Sequence, residues 1–206
     1  MAEDRAAQDS NARCGFVALI GAPNAGKSTL TNALTGSKVA IVTPKVQTTR
    51  TLVRGIAIVG DTQLVFIDTP GIFAPRRRLD RAMVTTAWGC AHDADLVALL
   101  IDAKRGFDVE TEAILEKLGE VKQPKALVLN KVDLVEKASL LTLADAVNSR
   151  GKFDATFMIS ASNGDGVADL KAWLAAHAPA GPWHYPEDEV SDAPLRQLAA
   201  EITREK

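Results

Sequence analysis

The stretch "GAPNAGKS" at residues 21–28 follows the apolar run "FVALI" at 16–20 and opens onto "TLTNALTG". It fits the pattern G-x-x-x-x-G-K-[ST], with Gly21, Gly26, Lys27 and Ser28 in the fixed places. The residue types follow from the chemistry of an anion. Glycines let the backbone wrap closely and point successive N–H groups inward, and a helix starting near Lys27 adds the positive end of its dipole. Lys27 reaches the outer phosphates, and Ser28 offers a hydroxyl to Mg²⁺. Ordinary Gly, Lys and Ser/Thr usage would produce such a match in about 1% of chains this long. A glycine turn with a surface lysine is the plainer alternative, but it needs neither the strand before nor the helix after. The corner is expected to hold a nucleoside triphosphate.

Outward from that corner, short apolar runs alternate with helical periodicity. Strands are predicted at 16–20, 51–59, 63–67, 95–101, 125–130 and 155–160, and helices near 27–35, 79–91, 109–121, 137–149 and 166–177. Only Gly60-Asp61 separates the second strand from the third, so those two pair antiparallel. The other connections are long enough for βαβ crossovers. The fold class is α/β: a P-loop NTPase domain, three-layer α/β/α, with a mostly parallel six-stranded sheet whose second strand is antiparallel.

Three further segments stand at predicted strand ends, where open α/β sheets bind ligands. "DTPG" at 68–71 places Asp68 to accept from a water on Mg²⁺ and Gly71 to bring an N–H to a γ-phosphate. "NKVD" at 130–133 offers Asp133 to the N1–H and N2-amino donors of guanine, which adenine lacks. Asn130 and the stem of Lys131 would brace that loop and cover the base. "SAS" at 160–162 follows the last strand, Ser160 leading to the Ala161 N–H, which would meet guanine O6. Each of these is weak alone; their order and strand context give them weight. "GDGVAD" at 164–169 fails as a dinucleotide fingerprint, because Asp169 replaces the third glycine. The loops at 36–50 and 72–78 are expected to order with the γ-phosphate, with Thr49 chosen to close over Mg²⁺ and Thr48 beside it. The "PRRR" of the second loop reads as solvated before it reads as an RNA patch.

Together "GAPNAGKSTL", "VQTTR", "DTPGI", "NKVDL" and "ISAS" resemble, in order, the Era family of translation-factor-related GTPases. "HYPEDEVSDAPLRQLAAEITREK" is similar to that family's linker and the first helix of its KH domain. The resemblance implies slow, Mg²⁺-dependent GTP hydrolysis, binding of small-subunit ribosomal RNA, and help in assembling the small ribosomal subunit. It assigns Gly21 through Ser28, including Asn24 and Ala25, and Thr29 beyond them, to phosphate. It assigns Lys27, Thr49 and Gly71 to catalysis; Ser28, Thr49 and, through water, Asp68 to the metal; and Asn130, Lys131, Asp133, Ser160 and Ala161 to the base. Asn24 matches an asparagine that binds K⁺ in related GTPases. The divisions implied are a disordered tail at 1–13, a G domain at 14–178, a linker at 179–190 and the first helix of a truncated KH domain at 191–206. No KH GxxG loop follows, so RNA binding is a family property that this chain is read as lacking by itself. Some members associate with the membrane periphery; a monomer is expected.

After Gly71 comes Ile72, where Ras-like proteins carry a water-orienting glutamine. Slow intrinsic turnover follows, and so does an alternative reading: a nucleotide-controlled binding module with negligible hydrolysis. An ATPase is the third reading, opposed by Asp133.

The bulk properties agree. The chain has 206 residues, 24 Lys and Arg against 26 Asp and Glu, and a formal charge of -2, so no global basic field points to nucleic acid. Cys14 and Cys90 have no metal or disulfide spacing, and the first residues are too polar for a signal peptide. A cytoplasmic protein is expected. His92, His177 and His184 show no triad spacing, and Trp88, Trp173 and Trp183 are expected to pack.

Overall fold

The structure is a computed structural model that describes residues 11–40, 42, 52–75 and 77–192. Thr48, Thr49, Arg76, the first ten residues and the expected terminal helix lie outside the described residues.

The six predicted strands form one sheet: β1 (Arg13–Gly21), β2 (Val53–Val59), β3 (Thr62–Asp68), β4 (Leu96–Asp102), β5 (Lys125–Asn130) and β6 (Ala155–Ile159). Their order is β2-β3-β1-β4-β5-β6, with β2 antiparallel to β3 and every other pair parallel. The helices are α1 (Lys27–Thr35), α2 (Arg78–Asp93), α3 (Val109–Leu118), α4 (Lys137–Asn148) and α5 (Val167–His177). α3 ends three residues before its predicted limit: Gly119 weakens the helix, and Glu120 and Val121 continue in i→i−3 turns onto Lys117 and Leu118.

Side-chain alternation along the strands divides the core in two. Ala18, Ile20, Val97, Leu99, Ile101, Leu127 and Leu129 face α2, α3 and α4. Val17, Leu19, Ala98, Leu100, Ala126 and Val128 face α1 and α5. Sequence neighbours thus go to opposite layers, and the central strands must be apolar throughout. Every parallel strand ends on the same edge of the sheet, so the loops after β1, β3, β4, β5 and β6 are brought together.

Residues 179–192, which include the linker implied at 179–190, lie against the domain. Gly15 packs on Ala178, and the Cys14 N–H donates to the Pro179 carbonyl at 3.1 Å. Buried Gln63 then reads the next segment as a peptide would. Its Oε1 accepts from the His184 and Tyr185 N–H groups at 2.9 and 3.1 Å, and its Nε2 donates to the Tyr185 carbonyl at 2.8 Å. Trp183 Nε1 donates to the Asp61 carbonyl, and the His184 ring rests on Phe16. Further on, the Ile56 N–H donates to the Val190 carbonyl at 2.9 Å, and Arg54 pairs with Asp192 at 2.8 Å. The strap covers part of the β2 edge, which would otherwise offer open backbone groups to another chain. Replacing Gln63 with Met keeps the volume but removes the three amide bonds. That substitution is expected to cost about 2 kcal/mol of unfolding free energy in urea. An unchanged midpoint would show that the Gln63 bonds to the strap contribute nothing to stability.

Candidate nucleotide-binding site

Strand register fixes what meets at the sheet edge. Leu19 pairs with Asp68, Gly21 with Leu100, Asp102 with Asn130, and Asn130 with Ile159. The chain leaves β1 through a tight loop with Gly21 at φ 150°, Asn24 at φ 62° and Gly26 at φ 98°. A Cβ at Gly21 would strike the Leu100 carbonyl oxygen, and one at Gly26 would strike Asn130 Nδ2. Positive φ and close approach together require glycine at both places. α1 starts directly after Gly26, which has no side chain to cap it, so the positive end of the helix dipole faces the loop. This is a built anion cradle.

Lys27 is buried and curls over the loop, its Nζ donating to the Gly21 and Ala22 carbonyls, both at 3.0 Å. Burial lowers its pKa from 10.5 to about 8, against the smaller opposing pull of Asp68. Beside it, Ser28 Oγ donates to Asp68 Oδ2 at 2.7 Å. A hydroxyl and a fully buried carboxylate thus converge under the loop, a pair of hard oxygen ligands suited to Mg²⁺ with water completing the shell. Among the described residues no cluster of three or more His, Cys, Asp or Glu could hold a metal by itself.

The loop after β3 lies directly on the phosphate loop. Thr69 Oγ1 donates to the Leu19 carbonyl at 2.6 Å, and the Ile72 N–H donates to the Gly21 carbonyl at 3.0 Å. A Cβ at Gly71 would come within 2.9 Å of Pro23. The Ile72 side chain is withdrawn into the core with Trp88 and Ile20. An isoleucine there serves packing, and its apolar side chain has nothing with which to orient water.

Asn130, 2% exposed, joins three loops. Its Nδ2 donates to the Ala25 carbonyl at 2.8 Å, and its Oδ1 accepts from the Ala161 N–H at 3.0 Å. A base oxygen at Ala161 would therefore share that N–H with Asn130. Ser160 is buried, its hydroxyl 3.0 Å from that of Ser162. Lys131, at φ 65°, donates to the Asn24 carbonyl at 2.7 Å and to Asp102 Oδ2 at 2.6 Å. Asp133 is exposed on a 3-10 turn, Val132–Leu134, that the sequence reading did not anticipate. Asp102 was also missed. Its position at a strand's carboxyl end, like those of Asp68 and Asn130, is the signal that marks it.

Comparison with known proteins agrees with this geometry. The family described as 50S ribosome-binding GTPase matches residues 16–131. GTPase Era of Bradyrhizobium sp. (strain BTAi1) is 64% identical over 205 residues, covering 100% of this chain and 67% of that protein. GTPase Era of Rhizobium meliloti (strain 1021) is 65% identical over 204 residues, covering 99% of this chain and 65% of that protein. The chain thus spans about two thirds of the length of these curated relatives. Among solved structures, Era in complex with MgGDPNP and nucleotides 1506–1542 of 16S ribosomal RNA superposes with a TM-score of 0.89 at 36% identity, covering 94% of this chain and 66% of that one. With this sequence agreement over nearly the whole chain, and the phosphate, metal and base loops in matching order, the chain belongs to the Era family of GTPases.

Proposed function

We propose that the chain binds GTP and GDP with Mg²⁺ and hydrolyses GTP slowly, as a switch. The observation that carries this reading is Asn130, whose one amide ties the phosphate loop at Ala25 to the base-side loops at Lys131 and Ala161. Asp133, three residues on, supplies the carboxylate that two guanine donors would meet. The positive cradle of α1 receives the phosphates, and Lys27 swings from its two backbone carbonyls toward them. Mg²⁺, when bound through Ser28 and through water to Asp68, neutralises charge on the β- and γ-phosphate oxygens. Thr49 and Gly71 are the proposed γ-phosphate contacts, and Asn24 the proposed K⁺ ligand.

Residues 14–178 are the proposed G domain, 179–190 the proposed linker, and 191–206 the proposed first helix of a KH domain. Small-subunit ribosomal RNA and the small ribosomal subunit are the proposed partners. Support comes from the related Era structure, which holds MgGDPNP and a 16S RNA segment. The proposal includes a cytoplasmic monomer that associates peripherally with membrane; no described helix is long and apolar enough to cross one.

Competition against a labelled guanine nucleotide tests the base: GDP displaces it and ADP does not, and Asp133→Asn shifts preference toward xanthine nucleotides. Equal displacement by ADP would overturn the guanine assignment. Retraction of Ile72 favours a second reading, binding with negligible hydrolysis. Single-turnover assays with Mg²⁺, in K⁺ and in Na⁺, separate the two. Slow turnover of about 10⁻⁴–10⁻³ s⁻¹ is expected, faster in K⁺. Tens of turnovers per second would exclude the unassisted mechanism, and equal rates in the two salts would remove Asn24 as a K⁺ ligand.

Lys27 gives a pH dependence without nucleotide. Its folded pKa of about 8 lies below the unfolded 10.5, so between those values the unfolded chain binds more protons and stability rises with pH. Relative to Lys27→Met, the nucleotide-free protein is expected to gain on the order of 2–3 kcal/mol across that window. Parallel urea titrations at pH 8 and pH 10.5 measure it. A wild-type curve that tracks the variant would show that Lys27 does not titrate low.

A further inference from the structure

The ammonium group of Lys131 is the only side-chain cation that the described hydrogen bonds show joining the phosphate loop to the β4 end. It spans two residues in the left-handed region, itself at φ 65° and Asn24 at φ 62°, a conformation that costs non-glycine residues on the order of 1 kcal/mol each. The Asn24 carbonyl is a neutral acceptor at the loop tip. Asp102 is the charged one, its side chain 10% exposed against 30% for Lys131. The carboxylate is itself fixed by its other oxygen, Oδ1, which accepts from the Lys104 N–H at 2.9 Å. β4 and β5 pair Asp102 with Asn130, so the carboxylate stands beside the residue preceding Lys131.

We propose that Asp102 is a positioning residue for nucleotide binding, holding the Lys131 ammonium across the loop so that the base-side and phosphate-side halves of the site keep one spacing. This rests on the proposed guanine nucleotide site. Asp102 acts only through Lys131. Without the carboxylate, the long side chain regains rotamer freedom, and the carbonyl of Asn24 alone is left to hold it. The order of the two halves would then have to be restored each time nucleotide binds, shortening the lifetime of the complex.

Asp102→Asn isolates this effect, because the amide oxygen can still accept from the Lys104 N–H while the charge is lost. The experiment measures release of fluorescent GDP from the whole chain, in a cycle of wild type, Asp102→Asn, Lys131→Met and the double variant, with melting of each nucleotide-free protein alongside. Asp102→Asn is expected to speed release roughly tenfold, and to add less than twofold once Lys131 is Met. An unchanged release rate for Asp102→Asn overturns the proposal. So does an equal acceleration in both backgrounds, which would mark a general structural role. If Asp102→Asn melts too low to assay, Asp102→Ser replaces it, with the same outcomes deciding. Failure of wild type to bind GDP at all would instead refute the site, and so is distinguishable from failure of Asp102 alone.

Discussion

Asn130 lies at the carboxyl end of β5 with 2% of its surface exposed, and it commits its amide to loops that are remote in sequence. Nδ2 donates to the Ala25 carbonyl and Oδ1 accepts from the Ala161 N–H, across separations of 105 and 31 residues. Leaving either buried backbone group unpaired would cost about 1–3 kcal/mol, so the loops are held at the spacing the amide dictates. That spacing is possible because Gly26 presents no Cβ where Asn130 Nδ2 must pass. The glycine that would admit phosphate on one side admits the asparagine on the other. Two motifs about a hundred residues apart are therefore one structural unit.

Parallel topology does the coarse positioning on which this contact relies. Five strands deliver their ends to one edge, and the period-2 alternation that splits the core locks each strand in register. A slip of one residue in β5 would turn Leu127 and Leu129 toward α1 and α5 and carry Asn130 off the loop. Core packing and site geometry are thus enforced by the same pairing. The polar residues at the edge need not stabilise the fold to be held accurately by it.

The strands, the hairpin and the α/β class were legible because their signals are local: apolar runs of strand length, a Gly-Asp turn, and helical stretches between. The phosphate, Asp68 and Asn130 segments were legible because their chemistry requires particular residue types at fixed spacing. What escaped was pairwise and distant. Gln63 looked like one more residue of an apolar strand, and nothing within its window shows that it would bind the backbone of His184 and Tyr185. A proline- and acid-rich segment has the composition of a free linker, but a buried amide and an Arg54–Asp192 pair fasten it to the sheet. Ile72 was read as an inability to orient water. Its withdrawal beneath the phosphate loop required the core to be seen.

The electrostatics around Lys27 suit the anion that the proposed function places there. Lys27 is buried, and without an anion its charge is balanced by two neutral carbonyls and by Asp68. Desolvation outweighs that balance, which is why its pKa falls to about 8. A polyphosphate bound beside it would add negative charge and favour the protonated ammonium. The Ser28–Asp68 bond has the same character, holding together two oxygens that a divalent ion would separate and use. Lys131 differs: its ammonium is already balanced by Asp102 before any ligand arrives. The corner that would meet phosphate thus holds a strongly desolvated ammonium, and the corner that would meet the base holds a paired one. In the proposed GTPase, binding energy would thereby fall mainly on the phosphates, which change during hydrolysis, while the base would serve as a fixed anchor.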